Sequence, residues 1–143
     1  MSAQNYDNHQ KFVKPWHFFL GSLILLTIVG CIYHLVQQWG TDFQYITALM
    51  LATNVGLLLA TFYSRIFALG AQDRVIFLEE ALRSERVLGK PLDSRLDGRQ
   101  IIGLRFASDD EWGALIERAL NENMSEKEIK MAVTNWRADH RRL

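Results

Sequence analysis

Zero net charge over 143 residues, with 16 Lys+Arg against 16 Asp+Glu, excludes the basic field that nucleic-acid binding needs. A lone cysteine, Cys31, excludes a disulfide framework or a cysteine metal knuckle within one chain. The 49% hydrophobic content averages two unlike parts: positions 15–64 hold one charged residue, Asp42, while positions 65–143 hold 14 Lys+Arg and 14 Asp+Glu.

Residues 1–15 form a short N-terminal segment carrying Lys11 and Lys14. From Trp16 to Val36 the chain is then uncharged apart from two histidines, and Phe43 to Ser64 is again uncharged. As helices at about 1.5 Å per residue, each run is roughly 30 Å long, the thickness of a hydrocarbon core. A signal peptide would have a shorter apolar stretch, of about 7 to 15 residues, ending at small residues. This first run instead ends in Gln37-Gln38-Trp39. A buried helix pair in a soluble core would need more covering sequence than the chain supplies. Residues 16–64 are therefore expected to be a two-helix transmembrane hairpin. Trp16 and Tyr63 would mark one interface, and Trp39 with Tyr45 the other. Lys11 and Lys14 before the first run, and Arg65, Arg74 and Arg83 after the second, contrast with a connection free of Lys and Arg. That asymmetry places both termini in the cytoplasm of a cell-membrane protein.

No stop follows Ser64 until Gly89 and Pro91, so the second helix is expected to continue to about Leu88, with Gly70 as a weak point. Beyond the membrane it carries Phe67, Ala71, Val75, Leu78 and Leu82 on one stripe, read as the core face, and an i,i+4 pair of Glu79 and Arg83. A short helix is expected within Leu92 to Phe106. Ser108 with Glu111 signals a second helix, carrying Trp112, Leu115, Ile116 and Leu120 and ending near Asn121 to Asn123. Ser125 with Glu128 signals a third, carrying Ile129, Met131, Ala132, Val133 and Trp136. Without alternating β-branched runs, the fold class is all-α: a transmembrane hairpin whose long second helix enters a small cytoplasmic helical domain, residues 65–143.

Candidate contacts lie on the second apolar helix. Ala48, Ala52, Gly56 and Ala60 recur at steps of four, a helix-packing face that meets the first helix most simply through Ser22 and Gly30. Asn54 lies about 160° from that face at 100° per residue. Its carboxamide needs a partner in hydrocarbon, either in another subunit or in its own hairpin. Cys31 and His34 sit one turn apart but lack further metal ligands, so no metal or cofactor is expected. Arg137, His140, Arg141 and Arg142 could meet anionic headgroups, although a solvated tail is the simpler expectation. Asp109, Asp110 and Glu111 fit the positive end of a helix dipole. Gly-rich phosphate loops, HExxH and GxSxG are absent, and no catalytic residue is assigned.

Several segments resemble a family of bacterial two-span membrane proteins catalogued as a domain of unknown function. They are Gln4-Asn5-Tyr6 with Asn8-His9, Phe67-Ala68-Leu69, Gln72 to Ile76, Leu78-Glu79-Glu80, Leu104 to Asp109, and Asn135-Trp136-Arg137 with Asp139-His140. Members are often labelled ABC transporter permeases, yet a permease domain needs about five or six spans to line a path and this chain offers two. The resemblance supplies no functional residues. The expected role is a non-enzymatic, membrane-anchored protein-interaction or scaffold module, with the lipid bilayer and a protein partner or second copy as its contacts. The alternative is an accessory or oligomeric subunit of a transport complex.

Overall fold

The computed structural model describes residues 5, 6 and 15–139, apart from the side chain of His17. Expectations placed on Gln4, Asn8, His9, Lys11, Lys14, His140, Arg141 and Arg142 fall outside these residues. The described residues are all-α, with helices α1 (Gly21–Gln37), α2 (Gln44–Leu88), α3 (Gly98–Leu104), α4 (Asp109–Asn121) and α5 (Glu126–Ala132); a wide π-helical turn, Pro15–Leu20, precedes α1. They fall into two compact units, one of residues 15–68 and one of residues 69–139 with Asn5 and Tyr6.

In the first unit, α1 and the first half of α2 form an antiparallel hairpin. Gly40 turns the connection with φ of 81°, a left-handed value suited to glycine, and its N–H donates to Gln44 Oε1 at 2.8 Å. The covered residues are Gly21, Ile24, Ile28, Cys31 and Leu35 on α1 with Gln38 just beyond it, and Gln44, Thr47, Leu51, Asn54, Leu58 and Thr61 on α2, of which Ile24 and Thr47 are buried. Both series advance by alternating steps of three and four, the period with which ridges of one helix enter grooves of another at a shallow angle. Stretches Phe18–Gln37 and Gln44–Leu88 are long and apolar enough to cross a membrane.

In the second unit, Gly89 ends α2 at φ of 66°. Helices α3 and α5 begin on reciprocal caps. Gln100 N–H donates to Asp97 Oδ1 at 2.7 Å while Asp97 N–H donates to Gln100 Oε1 at 3.1 Å, and Ser125 N–H donates to Glu128 Oε2 at 2.7 Å. Between them, Ser108 N–H donates to Glu111 Oε1 at 3.4 Å. Leu104, Phe106, Trp112, Leu115, Ile116, Ala119 and Ile129 make the buried core. Gln100 Nε2 ties α3 to the end of α4 by donating to the Met124 carbonyl at 3.0 Å. Where α3 crosses α5, a Cβ on Gly103 would lie 3.2 Å from the Glu126 carbonyl oxygen and 3.1 Å from Ile129 Cγ2, so glycine sets how near the two helices come.

Two expectations about the helices fail here. The last helix ends at Ala132, and Trp136 lies beyond it in an isolated antiparallel bridge to Ala107, its ring 4.8 Å from that of Phe106. The stripe read as the core face of α2 is exposed: Phe67 at 71%, Val75 at 55%, Leu78 at 62% and Leu82 at 59%. The covered face holds Ile76, Glu80, Arg83 and Ser84. Apolarity alone does not choose the inward face where buried charges find partners.

Candidate functional site

A buried ionic cluster around Arg83 is the most developed polar site in the helical unit. The guanidinium is almost wholly covered, and each of its nitrogens donates: Nε to Asp109 Oδ1 at 2.8 Å, Nη1 to Glu80 Oε2 at 3.2 Å and Nη2 to the Ala107 carbonyl at 2.7 Å. Its carbon stands 4.7 Å from the centre of the Trp112 ring, a cation–π distance. Glu80 also faces Arg137 Nη1 at 3.7 Å. The expected Glu79–Arg83 pair is thus replaced, because Arg83 turns inward to Glu80 and Asp109 rather than along the surface.

Burial pushes the Glu80 carboxyl above its ordinary range, against the pull of Arg83 and Arg137. At Asp109 burial also works upward, but the Arg83 hydrogen bond and charge, with Arg86, outweigh it and hold the group low. Glu111 is low for a similar reason: against burial, it accepts from Thr134 Oγ1 and from the N–H groups of Thr134, Asn135 and Ser108. The acidic run of α4 therefore does more than answer the helix dipole. Asp109 anchors α2, and Glu111 anchors the segment after α5. With every Arg83 nitrogen engaged, the cluster offers no open position to a ligand, and its chemistry is that of a clasp.

An open cleft of about 500 Å³ lies among Tyr6, Asp97, Arg99, Ser125, Glu126 and Lys130. Glu126 pairs with two of the basic side chains around it, Lys130 at 2.5 Å and Arg99 at 3.5 Å, and Lys127 also lines the cleft. Among the described residues no three or more His, Cys, Asp or Glu side chains are grouped to hold a metal ion.

In the hairpin, Asn54 is placed against its own partner helix. Its Oδ1 lies 2.8 Å from Thr27 Oγ1, and its Nδ2 donates to the Met50 carbonyl at 2.9 Å, with Cys31 Sγ at 3.9 Å. Two turns away, His34 Nδ1 is 3.0 Å from Thr47 Oγ1, which itself donates to the Phe43 carbonyl at 3.0 Å. Proton counting closes this pair when the imidazole carries its hydrogen on Nδ1.

Ala48, Ala52, Gly56 and Ala60 are brought together on one face, but all four are exposed and do not meet α1. A Cβ on Gly56 or on Gly30 would have no neighbour within 4 Å, and Ser22 spends its hydroxyl on the Phe18 carbonyl of its own helix. The small-residue face is thus not the hairpin seam. Polar groups that need partners have claimed that seam, and they lie on the other side of α2.

The Arg83 clasp and the charged inward face of α2 are not legible in the sequence, since the partners of Arg83 lie 24 and 26 positions downstream at Ala107 and Asp109. No curated protein and no solved structure matches this chain. A family model does, over residues 1–143, and the chain belongs to the Family of unknown function (DUF6526).

Proposed function

We propose that this chain is a non-enzymatic, membrane-anchored interaction module, with residues 16–64 crossing the bilayer and the helical unit presented in the cytoplasm. One observation carries the reading: only 6% of each apolar window is buried within the fold. Phe18, Phe19, Leu26, Val29, Val36, Ile46 and Phe62 are all more than half exposed, a surface that water does not tolerate and lipid does. The Lys/Arg asymmetry supports this orientation. Turned onto each other, the hairpin's polar groups are taken from any conducting path, which counts against the transport-subunit alternative.

Fractionation with reporter fusions tests this. The full chain is expected to stay in the membrane pellet through alkaline carbonate, with a cytoplasmic signal from a fusion after Leu143 and an external one from a fusion within residues 38–41. Release by carbonate, or an external C-terminus, would overturn it.

A further inference from the structure

We propose that the exposed stripe of α2 in the helical unit is the interface with a second copy of this chain, paired in parallel; this rests on the anchored-module reading and names its partner. Ala71, Val75, Leu78 and Leu82 advance by four, three and four residues, the step of a two-stranded coiled-coil seam. All are exposed, and they lie opposite the face that carries Ile76, Glu80 and Arg83 into the unit's own core. α2 thus has an apolar face in solvent while its charged face is consumed inside.

The charges beside the stripe say what covers it. With Val75 and Leu82 as a positions and Ala71 and Leu78 as d positions, Arg74 falls at g and Glu79 at the following e. In a parallel pair, a g residue meets the e residue five positions on in the other strand. Arg74 of one copy therefore meets Glu79 of the other, and the two-fold axis forms the same pair again with the roles exchanged. Both side chains are exposed, and neither is in an ion pair within the described residues. An anionic lipid surface would ask for basic flanks on both sides, which Glu79 denies. Parallel direction is also what two chains of one topology adopt on leaving one membrane. The seam is short, about two heptads, but confinement to a bilayer raises the effective concentration of one copy for another.

Disulfide trapping of the full chain in native membranes is the test, in a Cys31→Ser background that removes the sole native thiol. Leu78→Cys is expected to give a dimer on mild oxidation, and Glu117→Cys, exposed on α4, to give several-fold less. With Leu78→Cys present, Arg74→Glu or Glu79→Arg alone should reduce the dimer several-fold, and the two together should restore it. Absence of trapping at residue 78, an adduct to another protein in its place, or a double variant no better than the singles would overturn the proposal. Carbonate extraction of the same membranes keeps the two readings apart: a chain that stays embedded without a trapped dimer refutes the seam alone, whereas a chain released by carbonate refutes the anchor.

Discussion

Arg83→Met tests whether the buried cluster holds the helical unit together. Methionine keeps most of the aliphatic stem and deletes the guanidinium, so the loss falls on the charge and its hydrogen bonds. The Ala107 carbonyl, now without its donor, costs about 1 to 3 kcal/mol, and breaking a buried pair while leaving one charge behind costs about 3 to 5 kcal/mol in all. Two features favour the lower end: Asp109 is 48% exposed and returns to water, and Arg137 stands 3.7 Å from the abandoned Glu80. An expected loss of about 3 kcal/mol corresponds to roughly 12 to 24 °C in the melt of a domain this small. Adding Glu80→Met removes the stranded carboxylate, so the double variant should recover about 2 kcal/mol of that loss. The assay is thermal unfolding of the full chain in mild detergent, followed by the near-ultraviolet signal of Trp112 and Trp136. A single variant within about 0.5 kcal/mol of the parent, or a double variant no more stable than the single, would refute the clasp.

Gly103→Ala should lower the same melt by about 1 to 2 kcal/mol, because the tight approach to the Glu126 carbonyl outweighs the gain in helix propensity, while Gly56→Ala, with nothing within 4 Å, should leave it unchanged or raise it. Against pH, the lowered carboxyls of Asp109, Glu111 and Glu128, with Asp93 held at about 2 by Arg95, contribute stability above their unfolded values that is lost as pH falls through their folded ones, so the melting temperature should drop steadily on acidification below about pH 4. Glu80 is raised and acts with the opposite sign, losing stability as pH climbs from its ordinary value through its folded one; Glu80→Gln should flatten the profile in that window.

What could be read from the sequence was what is local. The glycine stop at Gly89 and the helix starts at Ser108 and Ser125 depend on neighbours within about four positions, and the structure places them as expected. The start at Asp97 obeys the same rule with Gln100, aspartate taking the capping place that serine holds in the other two. The spacing of Trp136 from Ala132 and Val133 fits helical periodicity and predicts a helical position, yet Trp136 lies beyond the helix and pairs with Ala107. The hairpin seam was open to error for another reason. Small residues and hydrogen-bonding residues each promise close packing between apolar helices, and they occupy different faces of α2. In this hairpin the polar groups prevail: Thr27, His34, Thr47 and Asn54 all need partners, and they take the seam.

The inverted amphipathicity of α2 follows from the same competition and bears on function. A buried ion cluster is seldom more stabilising than apolar residues of the same volume, so turning Val75, Leu78 and Leu82 inward would serve an isolated unit at least as well as Glu80, Arg83 and Ser84 do. The cluster supplies direction instead. Asp109 and the Ala107 carbonyl, both outside α2, draw the guanidinium inward, and the rotation of α2 that satisfies them leaves the apolar stripe outside. Association on the stripe would then return the burial that the inward face gives up, and the Arg74 and Glu79 flanks would limit it to one direction and register. On this argument the interior of the unit and its proposed interface are a single arrangement, in which Arg83 acts on self-association without touching the second copy.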